Sequence, residues 1–128
     1  KISLQNKNEV KAKEIFLSII EKNDSFYSPS SLNLIIEKKL INDANKIISL
    51  YDKVINEAGL DNETQNLFIF KKTLFVGDAI TETQLLNNLN PIIQSNSIWS
   101  EASKNYIYQY YILRKEFEKA KEFKTLRK

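Results

Sequence analysis

Any acid–base or metal chemistry in this chain must come from carboxylates, because the 128 residues include no histidine and no cysteine. Histidine is the commonest general base and metal ligand, and cysteine supplies thiolates, disulfides and most structural zinc ligands. Glu14, Glu21 and Glu37 recur on helical segments, and each has a lysine beside it in Lys13, Lys22 and Lys38. That arrangement reads as solvated ion pairs, which are weak, and not as a working acid and base. Asp61-Asn62-Glu63 and Asp78 lack the spacing and terminal glutamate of a calcium loop and read as helix caps. With 2 glycines in the whole chain, no glycine-rich phosphate loop exists. The expectation is therefore no catalytic residues, no metal, no cofactor and no enzymatic activity.

The remaining chemistry is aromatic. The segment Trp99 to Phe123 holds the only tryptophan and Tyr106, Tyr108, Tyr110 and Tyr111 of the 6 tyrosines. Rings that stack nucleic-acid bases are interleaved with basic residues on one surface. Here Trp99, Ala102, Tyr106, Tyr110 and Leu113 fall on one helical stripe, the spacing of a packed face. Tyr108 and Tyr111 lie off that stripe. If both are exposed they form an interaction patch, since tyrosine is favoured at interfaces.

The elements that position these residues are helices. Gly 2 and Pro 2 are too few for a loop-rich or sandwich fold, and no alternating run is bounded by hairpin turns. The first helix spans about Leu4 to Asn23, with Val10, Ile15 or Phe16, Ile19 and Ile20 inward. Ser28-Pro29 is a start signal, with Ser as N-cap and Pro at the first helical position. The second helix then runs to about Leu40. Asn42-Asp43 caps a third, Ala44 to Ala58, and Gly59 sits where a left-handed residue belongs. The fourth helix opens at Asp61 or Asn62 and runs to Val76. It is apolar nearly all round, which predicts burial between neighbours. Thr81 with Gln84 is a capping-box pair opening a short fifth helix, and Asn90-Pro91 is expected to end it. The sixth begins after Ser97 or Ile98, and the seventh at Phe117 or Glu118.

Helices two and three, four and five, and six and seven make successive hairpins. Their starts lie about 34 to 36 residues apart, the period of tetratricopeptide-type repeats. Tyr111, Phe117 and Ala120 match the aromatic, aromatic and small positions of such a repeat, so Ala120 is expected to let two helices close around the rings. The fold class expected is all-α: a tetratricopeptide-like helical-hairpin solenoid of about seven helices. Residues 1–25 form a leading helix and residues 26–128 the repeat domain.

Taken in order, Phe26-Tyr27-Ser28, Asn42-Asp43-Ala44, Gly77-Asp78, Leu89 to Ile92, Ile98-Trp99-Ser100-Glu101-Ala102 and Phe117 to Ala120 resemble the divergent tetratricopeptide-like domain of the YfgM-like family. The family's alanine-rich helix faces are replaced here by Ile, Asn and Tyr. The resemblance implies an inner-membrane protein whose repeat domain lies on the periplasmic side, beside the Sec translocon, in contact with periplasmic chaperones and exported chains. The anchor would lie upstream of Lys1. No apolar run in the chain, Leu67 to Phe70 included, is long enough to cross a bilayer.

The expected function is protein–protein interaction, with a partner or peptide received on a concave face of helix-A residues: Asn33, Glu37, Gln65, Lys72, Lys104 and Tyr108. Two alternatives stay open. One is a nucleic-acid-binding domain using the Lys-rich Lys119 to Lys128, which the interspersed +3 net charge disfavours. The other is a self-associating module, a homo-oligomer formed through an apolar helix face.

Overall fold

The computed structural model describes residues 4–124. Among them are seven α-helices: α1 Leu4–Glu21, α2 Tyr27–Glu37, α3 Ala44–Glu57, α4 Asn62–Val76, α5 Glu82–Gln94, α6 Ser100–Leu113 and α7 Phe117–Lys121. A 3₁₀ turn, Gly77–Ala79, joins α4 to α5. No strand occurs among the described residues. The protein is an all-α assembly of antiparallel helical hairpins.

Compactness divides the chain into two units, one ending at Asp61 and the other beginning at Asn62. The sequence boundary at residue 25 follows repeat register, whereas compactness places α1 with α2 and α3. In the first unit α2 packs most extensively on α1, and both meet α3. Ile20 of α1, Leu32 and Ile35 of α2, and Ile47 and Leu50 of α3 are buried. In the second unit α4, α5, α6 and α7 pack in chain order. Its core joins Ile80, Leu85, Leu89, Ile92, Ile107, Tyr111 and Ala120. Thr73 ties α4 to α5, donating to the Ile69 carbonyl at 2.8 Å while accepting from Asn88 Nδ2 at 3.2 Å.

The helix ends show how local chemistry sets the hairpins. Asp43 caps α3 by accepting from the Asn45 and Lys46 amides. Thr81 and Gln84 exchange both bonds of the expected capping box at 3.1 Å. Gly59 and Gly77 hold φ of 67° and 65°, which glycine adopts without the Cβ penalty. Elsewhere the same left-handed position is filled without glycine. Asn23 follows α1, Lys39 follows α2, Asn96 follows α5 and Lys115 follows α6, with φ between 53° and 59°. After α2 the Lys39 amide bonds to the Ile36 carbonyl and Leu40 to Ile35. After α6 Lys115 bonds to Ile112 and Glu116 to Tyr111. Both are Schellman closures, and each places lysine at the negative end of a helix dipole.

Five expectations change. The second helix begins at Tyr27, not at Ser28-Pro29, because Asp24 takes the capping role. Its Oδ1 accepts from the Phe26 and Tyr27 amides at 2.8 and 2.6 Å. Ser28 and Pro29 are buried, and the Ser28 hydroxyl reaches back to the Ile19 carbonyl at 3.3 Å. The same helix stops at Glu37, short of Leu40, where the Schellman turn closes it. Third, α5 continues through Pro91 to Gln94. Pro91 and Asn87 lie on the exposed side, where water can take the carbonyl that proline leaves without a donor, and fully buried Ile92 anchors the extra turn. Fourth, α4 is not enclosed: only Phe68 and Thr73 are buried, and Leu74 and Phe75 are exposed. Fifth, the inward stripe of α6 is Ser103, Ile107 and Tyr111. That face is turned by one residue, about 100°, from the expected stripe, and Leu113 is 74% exposed.

Candidate peptide-binding groove

One face of α1 presents Asn6, Glu9, Val10, Lys13, Leu17, Ile20 and Glu21 at three- and four-residue steps. Two clefts open along it, both within the first unit. The first, about 350 Å³, lies between Asn6, Glu9, Val10 and Lys13 of α1 and Lys39, Leu40 and Asn42 of the α2–α3 turn. The second, about 180 Å³, lies between Leu17, Ile20 and Glu21 of α1 and Lys46, Ser49, Leu50 and Lys53 of α3. Val10 and Ile20 sit ten positions apart, so the clefts are separated by about 15 Å along the helix.

Each cleft has apolar surface edged by charge. Val10 and Leu40 contribute it in the first, and Leu17, Ile20 and Leu50 in the second. Val10 is 52% exposed. In the second cleft Lys53 bridges Glu21 at 3.5 Å and Glu57 at 3.2 Å. The hydrogen bond to Glu57 holds its ammonium pKa above the ordinary value. Among the described residues Lys13, Lys39 and Lys46 take no ion pair. The clefts therefore offer recesses of mixed polar and apolar lining, with unpaired ammonium groups at their edges.

The second unit carries a tightly knit polar cluster at the start of α5. Tyr111 donates to Glu82 Oε2 at 2.8 Å, and Lys119 bridges Glu82 at 3.0 Å and Glu116 at 3.1 Å. The Tyr111 bond, and then that of Lys119, hold the Glu82 carboxyl below its usual pKa. Burial, and then the bond to Glu82, push Tyr111 up to about 12. Bonds to Glu82 and Glu116 push Lys119 up to about 12. A phenol held protonated and an ammonium held charged are poor nucleophiles and poor bases at neutral pH. The cluster fastens α5, α6 and α7 together. Beside it Arg114 stacks on the Tyr110 ring at 3.5 Å and donates to the Asp78 carbonyl at 3.4 Å. Glu63 of α4 accepts from the Ser97 hydroxyl and from the Ile98 amide, fixing the α5–α6 turn.

The aromatic wedge is partly as expected. Tyr111 and Ala120 are buried where α6 meets α7. Phe117 is 55% exposed, and Phe123 takes its place, its ring centroid 6.0 Å from that of Tyr111. Tyr108 is half-buried against the same core, while the buried Tyr111 offers no exposed ring to a partner. Asn33 and Glu37 share a face of α2, Gln65 and Lys72 a face of α4, and Lys104 and Tyr108 a face of α6. None of the six lines either cleft. The cleft residues Lys13, Leu17, Lys39 and Lys46 were missed as a group. The signal was present in an apolar face on α1 broad enough for two neighbours, with Leu17 widening it. Among the described residues no group of acidic side chains could hold a metal ion, and no helix is long and apolar enough to cross a membrane. Residues 125–128 of the Lys-rich segment lie outside the described residues.

Compared with family models, with curated proteins and with solved structures, the chain finds no match in any of the three.

Proposed function

We propose that this chain is a protein-interaction module that receives a segment of a partner protein along the α1 face of its first unit. The supporting observation is the pair of clefts on one helix face, with apolar surface and charged edges. Recognition sites combine that character: apolar area for affinity and a few polar groups for orientation. A helical-hairpin scaffold supports it, because rigid helices hold both clefts at a set spacing.

Site-specific photocrosslinking tests this reading. A photoreactive residue at Val10 or Leu17 should give a discrete adduct with a partner protein in the producing cells, while one at Ile15, exposed but outside both clefts, should not. Ser49→Trp fills the second cleft from an exposed position and should remove the Leu17 adduct. Equal labelling from Ile15, or adducts that survive Ser49→Trp, would reject the groove. The resemblance to the YfgM-like family adds a partner to this proposal, an exported chain or chaperone at the translocon. Mass spectrometry of the adduct checks it, and a cytosolic partner counts against it.

A further inference from the structure

We infer that the groove's occupant is an extended acidic segment with two apolar anchors four or five residues apart, an inference that rests on the groove being a peptide site. Its spacing follows from geometry. The clefts lie about 15 Å apart along α1, and an extended chain advances about 3.3 Å per residue. Its apolar character follows from Val10 and Leu40 in one cleft and from Leu17 and Leu50 in the other. The larger recess, about 350 Å³ against about 180 Å³, takes the bulkier anchor.

Its charge follows from the lysines. Lys13 and Lys39 edge the first cleft and Lys46 the second, and none of the three takes an ion pair among the described residues. Glu9 is the acidic residue on the first cleft, and Glu21 on the second is already matched by Lys53 at 3.5 Å. Lys13 and Lys39 outnumber Glu9 at the first cleft, and at the second Lys46 stands outside the network in which Lys53 serves both Glu21 and Glu57, so glutamate or aspartate beside each anchor meets an unpaired ammonium, and lysine there is repelled.

Fluorescence anisotropy on the whole chain tests the inference with labelled synthetic peptides. One carries Leu and Phe five positions apart, each flanked by glutamates; a second replaces every glutamate with lysine. The acidic peptide should bind and the lysine peptide should not. The triple variant Lys13→Glu, Lys39→Glu, Lys46→Glu should bind the acidic peptide about tenfold more weakly, the sum of three exposed pairs, and gain affinity for the lysine peptide. A circular dichroism spectrum like that of the parent excludes unfolding as the cause. Equal binding of both peptides, no binding of either, or an unaltered triple variant overturns the inference. So does displacement of the acidic peptide by a single-stranded oligonucleotide. If the Val10 and Leu17 crosslinks stand while the acidic peptide fails, the groove survives and only its acidic occupant is lost.

Discussion

Single side chains decide where the helices of this protein begin and what pH does to them. Asp24 holds two amides at the start of α2. Asp24→Ala should therefore cost about 1 kcal/mol in urea unfolding, the usual loss for a capping side chain. Unchanged stability would mean that buried Ser28 and Pro29 set the start alone. Glu82 makes a second prediction. Its folded pKa is depressed, so its contribution is present above the unfolded carboxyl value near 4.5 and lost as pH falls through the folded value. Tyr111 and Lys119 are raised from 10.0 and 10.5 to about 12, so their contribution holds below the unfolded values and fades as pH climbs toward 12. Thermal melts of the parent should fall off at both extremes. Glu82→Gln should flatten the acid limb, since the carboxylate with the depressed pKa is gone, and weaken the alkaline one. Parallel curves for parent and variant would show that the cluster is not linked to folding.

Helices turn such residues into faces, and a face is easily misjudged by one position. On α6 apolar and aromatic residues occupy so many positions that hydropathy permits two stripes. Ile107 and Tyr111 are at 0% and 2% exposure and Leu113 at 74%. Ile107→Ala should cost about 2–5 kcal/mol, as for other buried aliphatic truncations. Leu113→Ala should stay within about 0.5 kcal/mol, as for an exposed site. The reverse order in chemical denaturation would restore the expected stripe. The same ambiguity explains α4. Its apolar residues surround the helix, so its pattern carries little direction, and what covers each side depends on elements far away in the chain.

The whole chain is two compact units, each with buried apolar residues of its own. In the second unit the cluster from Ile80 to Ala120 is closed by the Glu82, Tyr111 and Lys119 contacts. Residues 62–128 expressed alone should keep a helical far-ultraviolet spectrum and melt cooperatively, although a fragment this small is marginal. Leu89→Asp in that fragment should abolish the transition by placing an unpaired charge in the core. A non-cooperative parent fragment would show that the second unit needs the first to fold. The candidate groove belongs to the first unit, so a photocrosslink at Val10 or Leu17 reports on that unit.

Much of this was legible in the sequence. Low glycine and proline, three- and four-residue periodicity, the Thr81–Gln84 box, Asp43 and Gly59 determined that the chain is helical and where several helices start or stop. Those signals act within one or two turns, so the residues that make them are neighbours in sequence. Tertiary structure alone decided which stripe of α6 turns inward, whether Pro91 ends α5, and that Phe123 rather than Phe117 packs on Tyr111. It also decided that the two clefts lie along α1, where Lys13, Lys39 and Lys46 come from three different segments. Each of those outcomes depends on what a helix packs against, and a packing partner many residues away leaves little trace in local spacing.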